Sequence, residues 1–239
     1  MKEDAYRNSA NSPLDSGFTT TSERMTVQGA VNKSFILFGL MLMTSAASFV
    51  YAHPILMWTG AIGGLIAVLV ATFKPHLSAT VAPIYALLEG LFVGSITAVY
   101  GGAFGGGIIF NAIALTLGLL FTMLFIYKSG IIKVTNKLRM GVMMATGAVF
   151  LVYMLSMVLG FFGIQVPYLH QGGAIGIGIS VVIIGIASFN LLLDFDNFEK
   201  GEQLGAPSYM EWFSAMGLLI TLVWLYIEVL RLLSMLSRK

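Results

Sequence analysis

The sequence contains no cysteine, which excludes disulfides and thiolate metal sites and leaves the redox compartment unread. Charge is nearly as scarce. Only 10% of the 239 residues are charged while 57% are apolar, and the mean hydropathy of +0.88 lies outside the range of soluble domains. Between Lys74 and Lys128 the only charged residue is Glu89, and between Arg139 and Asp194 there is none. The formal net charge of +2 is too small to imply a nucleic-acid partner. No Ser/His/Asp grouping and no His-Glu-x-x-His occurs, so enzymatic chemistry has no foothold and no cofactor is expected. The glycine-rich stretch 101–107 lacks the preceding strand and the Lys-Ser/Thr ending of a phosphate loop, and reads as a flexible hairpin. His53, His76 and His170 fall on different connectors and do not form one metal site.

Long apolar runs are what the chain does have. A span needs about 20 predominantly apolar residues, and seven runs qualify, at 35–51, 55–73, 78–100, 108–127, 139–162, 173–193 and 212–236. Their length and continuity exclude a β-barrel and predict an all-α polytopic bundle of seven transmembrane helices. The connectors carry turn chemistry in His53-Pro54, Lys74-Pro75 and Gly205-Ala206-Pro207. Gly60/Gly64, Gly90/Gly94 and Gly172/Gly176 have the four-residue spacing that lets helix backbones approach closely.

Ten of the thirteen Lys and Arg residues fall before the first span or in alternate connectors. The intervening connectors have none. The positive-inside rule therefore predicts a multi-pass protein with a cytoplasmic N-terminus, with Arg231, Arg238 and Lys239 on the far side. Residues 1–30 lack periodicity and apolar mass and read as a disordered or loosely ordered tail, followed by a membrane domain over 31–239. The first apolar run lies too far from the start for an ordinary signal peptide, so uncleaved insertion is expected.

Against this background three carboxylates stand out: Glu89, Asp194 and Glu228. An acid in hydrocarbon costs roughly 2.5–3.5 kcal/mol on insertion scales, so each is a candidate ion or proton site. Glu89 falls ~16 Å along its helix, close to mid-bilayer. It reads equally as a pathway acid or as a neutral group bonded to a neighbouring helix. Arg231 follows Glu228 at i+3, so a local ion pair competes with a transport role. Asp194 follows Asn190 by one turn in a polar stripe. The acidic run 194–202 fails the EF-hand pattern, with Phe198 at a ligand position and Glu199 where glycine is needed.

The segments MTVQGAVNKSFILFGL, YALLEGLFVGSI, ASFNLLLDFDNFEKG and WLYIEVLRLLSML resemble a bacterial member of the Bax inhibitor motif family, in the branch with a longer soluble N-terminus. The resemblance covers residues 25–237. It implies a seven-helix fold with the last helix running through the middle, in the bacterial inner membrane. It also implies a pH-controlled calcium leak through a carboxylate pair on the sixth and seventh helices. By motif, Asp194 and Glu228 match that pair, which would also be the calcium site, and Asp196 is a rival for Asp194. The family's basic latch falls nearest to Lys74. A pair of acids in low dielectric is expected to share a proton, so protons and calcium ions would be its ligands besides the surrounding lipid. The competing expectation is a membrane-embedded regulator that binds another membrane protein, such as a quality-control protease. Proton-coupled secondary transport ranks last, because no repeat relates the two halves.

Overall fold

A computed structural model describes residues 24–163 and 173–237 of the chain. The described residues form seven long α-helices: α1 (Val27–Tyr51), α2 (Pro54–Phe73), α3 (Ser78–Phe104), α4 (Gly106–Lys128), α5 (Asn136–Phe161), α6 (Ala174–Gln203) and α7 (Tyr209–Ser237). All seven are long and apolar enough to cross a membrane. Residues 1–23, His170, Gly172, Arg238 and Lys239 lie outside the described residues, and with them most of the expected tail.

Local chemistry sets the ends. Thr26 caps α1 by accepting from the Gly29 N–H at 2.9 Å, and Thr135 caps α5 by accepting from Leu138 at 3.2 Å. His53 Nδ1 accepts from Ile55 ahead of α2, where Pro54 occupies the first turn and forfeits no helical bond. The expected hairpin at 101–107 is a correction. Helix α3 runs on to Phe104, and only Gly105, at φ +84°, breaks it from α4.

The start of the membrane domain also moves. Helix α1 begins at Val27 rather than after residue 30, because its exposed amides have acceptors waiting. Thr26 N and Oγ1 donate to Glu211 at 2.8 and 3.0 Å, and Val27 N donates to Glu202 at 3.1 Å. Two carboxylates at a helix N-terminus satisfy free N–H groups and complement the helix dipole. Lys33 pairs with Glu211 across the same junction. Met25 is buried against Gly201 and bonds Ala206 through its N–H at 2.7 Å. The entry to α1 is thus fastened to the α6–α7 turn.

Helix α7 occupies the middle, touching α1, α3, α4 and α6, while α2 leans on α3 and α5 leans on α6. In α7 61% of the most apolar stretch is buried, against 6% in α5. Lipid gives helices no hydrophobic reason to associate, so close backbone approach carries the packing. The glycine spacings do this where expected. A Cβ on Gly60 would lie 2.6 Å from the Leu88 carbonyl of α3. Gly90 and Gly94 of α3 lie against the Met41 and Ser45 carbonyls of α1.

Gly94→Val therefore forces α1 off α3 and should cost about 1–3 kcal/mol of stability. Gly118→Val, which would meet nothing within 4 Å, should be neutral. Thermal unfolding of both variants in the same detergent checks the contrast, and equal losses would contradict this packing.

Candidate functional site

The polar residues of α6 and α7 line the centre of the bundle. Glu211 lies in the first turn of α7 and Glu228 deep in it, 3% exposed. Each is held by a different set of helices.

Glu228 is fully engaged. Tyr153 of α5 donates to Oε2 at 2.8 Å, Ser180 of α6 donates to Oε1 at 2.8 Å, and Arg231 pairs with the same carboxylate one turn on. The Arg231 guanidinium also stacks over the Tyr153 ring at 5.3 Å, leaving its buried Nε without an acceptor among the described residues. The local ion pair that the i+3 spacing offered to Glu228 and Arg231 is formed.

Asp194 is the opposite case. Its Oδ1 faces Gly217 of α7, 3.7 Å from where a Cβ would stand, and Thr221 flanks the same carboxyl. Its Oδ2 is buried with no hydrogen-bond partner, and no cation lies within ion-pair reach among the described residues. Asn190, one turn before, is tied away to α5: its Nδ2 donates to Thr146 at 2.7 Å.

The expected Asp194–Glu228 pair is not formed. Asp194 stands level with Gly217 and Thr221, and Glu228 lies seven residues beyond Thr221, roughly 10 Å further along α7. Helices α6 and α7 run antiparallel from a short turn, and that turn fixes a register in which Ser180, not Asp194, meets Glu228. A calcium site using both carboxylates is not assembled either. Among the described residues no group of three or more His, Asp or Glu side chains could hold a metal ion.

The other candidates are also separated. Asp196 is neutralised by Arg139 of α5 and by Lys200 at 2.7 Å, so it does not compete for Glu228. Lys74 is exposed at the end of α2 and forms no ion pair among the described residues, so it latches neither acid. Glu89 lies on the α2 side of α3, with Tyr85 one turn before it. Its Oε2 fills the space left by Gly64, where a Cβ would come within 2.8 Å. A further polar contact, Tyr226 with Thr97 at 2.9 Å, joins α7 to α3.

Sequence reasoning missed Glu211, Tyr153 and Ser180. Glu211 had a usable signal, since Lys33 is the only charged residue in α1 and needs a counter-ion. Tyr153 and Ser180 had none, because nothing local distinguishes them from other hydroxyls in apolar helices.

A family model described as Bax inhibitor 1 like matches residues 3–238. The chain belongs to the Bax inhibitor 1 like family. Comparison with curated proteins finds no match. In this member of the family the two acids of the sixth and seventh helices occupy separate stations, one without a counter-ion among the described residues and one paired with its own arginine.

Arg231→Met would leave the Glu228 carboxylate buried without a cation, which costs about 3–5 kcal/mol. Glu228→Gln combined with Arg231→Met should recover most of that loss. A thermal-unfolding cycle over the four proteins checks the coupling, and additive losses would contradict the pair.

Proposed function

We propose that this protein is a pH-sensitive cation leak of the bacterial plasma membrane, with calcium as a permeant ion and α7 as the wall of the pathway. The observation that carries the reading is Asp194, a carboxylate between α6 and α7 whose buried Oδ2 has no hydrogen-bond partner and which, with only the Thr221 hydroxyl beside it, has no counter-cation among the described residues. Such a group is held at a cost of several kcal/mol unless it binds a proton or a cation. Protons and cations compete for it. Calcium suits the place chemically, because it accepts carboxylate and carbonyl oxygens in flexible geometry. The Thr221 hydroxyl, bonded to the Gly217 carbonyl at 3.2 Å, supplies further oxygen next to the carboxylate.

Glu228 then acts as the gate. Its own Arg231 fills the position a passing cation would take, and Tyr153 and Ser180 hold the carboxylate in place. A cation passes only when the guanidinium is displaced. Unpaired Asp194 admits the ion, and paired Glu228 resists it. In the orientation proposed here the end of the bundle with Lys33, Lys128, Arg139 and Lys200 faces the cytoplasm.

Calcium efflux from proteoliposomes should rise as the pH is raised from about 5 to 8, since protons compete for Asp194. Asp194→Asn should flatten the profile, and Arg231→Gln should raise the flux at every pH. A variant Asp194→Asn with the wild-type profile would sink the assignment. Absence of flux from folded protein at every pH would replace it with the membrane-embedded regulator that binds another membrane protein.

A further inference from the structure

The charges near the junction of α4, α5 and α6 do not cancel evenly. Asp196 is taken by Arg139 and Lys200, Glu199 accepts from Tyr127 at 2.7 Å and lies 3.6 Å from Lys128, and Glu202 accepts from Val27. Every carboxylate of the run after Asp194 is therefore engaged. Lys133 and Lys137, both exposed, have no ion-pair partner among the described residues.

Lys137 also stands at the mouth of a groove between α5 and α6 of about 310 Å³, lined beyond it by Gly141, Val142, Ala145, Ile186 and Phe189. Lys137, Gly141 and Ala145 recur every four residues and so share one stripe of α5. From Lys137 to Ala145 the stripe runs about 12 Å along the helix axis. Two polar ties bracket the groove: Arg139 with Asp196 and Asn197 at the basic end, and Asn190 with Thr146 further in. Between them the face of α5 that lines the groove carries Gly141, Val142 and Ala145, and α5 packs chiefly on α6.

We propose that this groove is a binding site for one anionic phospholipid. Its phosphate lies on Lys137, with Lys133 adding charge, and the start of an acyl chain lies over Gly141 and Ala145 against Ile186 and Phe189. The occupant follows from what adjoins what. A cation without a partner continues directly into an apolar trough that opens to the lipid face. A soluble phosphate would use only the first, and a zwitterionic lipid offers the lysine no net charge. Lipid in the groove braces α5, the least supported helix. This inference is independent of the leak.

Native mass spectrometry of the full chain, released from detergent with phosphatidylglycerol and phosphatidylcholine of matched acyl chains, tests it. One phosphatidylglycerol should be retained in preference to phosphatidylcholine. Lys137→Gln, an exposed substitution, should weaken that retention about fivefold, and Gly141→Leu should abolish it by filling the trough. Inorganic phosphate in millimolar excess should not compete. Equal retention of the two lipids, or phosphatidylglycerol retention untouched by Lys137→Gln, would overturn the site in favour of ordinary boundary lipid. Displacement by inorganic phosphate would overturn it in favour of a bare anion site.

Discussion

Hydrocarbon offers polar groups no partner, and the arrangement of this bundle follows from that constraint. The helix with most to satisfy is placed where protein surrounds it. Helix α7 carries Glu211, Thr221, Glu228 and Ser234, all buried, and its most apolar stretch is 61% buried, the largest share of the seven helices. Helix α5, whose most apolar stretch is 6% buried, lies at the margin and lends α6 and α7 little more than Arg139, Thr146 and Tyr153. Position in the bundle tracks polarity more closely than it tracks hydropathy.

Within that frame the acids differ by what neutralises them. Glu211 has Lys33 with the N–H and hydroxyl of Thr26, Asp196 has two basic residues, and Glu228 has Arg231 with two hydroxyls. Asp194 and Glu89 have no cation among the described residues, only the hydroxyls of Thr221 and Tyr85 respectively. A buried pair of opposite charge contributes little net stability, yet removing one member is costly, so such pairs hold geometry rather than supply energy. Of the two acids without a cation, Asp194 is the one with a buried oxygen that has no hydrogen-bond partner, and the functional reading rests on it.

Much of the architecture was legible in the sequence, because bilayer thickness converts directly into run length. All seven runs became helices, and Gly60, Gly90 and Gly94 mark real backbone contacts, while Gly64 makes room for the Glu89 side chain. Central placement of α7 came from the family resemblance, since no periodicity in α7 announces it. The i+3 spacing of Glu228 and Arg231 was enough to offer the local pair. What sequence did not disclose was register. Whether Asp194 or Ser180 meets Glu228 depends on how the turn between Gln203 and Tyr209 sets two antiparallel helices, and the two candidates stand fourteen residues apart on α6. The early start of α1 was hidden for a similar reason. Its caps come from Glu202 and Glu211, nearly two hundred residues away, while the local sequence around Thr26 reads as tail.

The central claim is that Asp194 is an uncompensated carboxyl that exchanges a proton inside the bundle. Infrared difference spectroscopy in liposomes, titrated between about pH 5 and 8 in a Glu89→Gln background that removes the other buried acid without a counter-cation, measures this directly. The account predicts a protonated-carboxyl band that grows as the pH falls, is missing in Asp194→Asn and persists in Glu228→Gln. A spectrum in which that band survives in Asp194→Asn, or no carboxyl titrates at all, would contradict it.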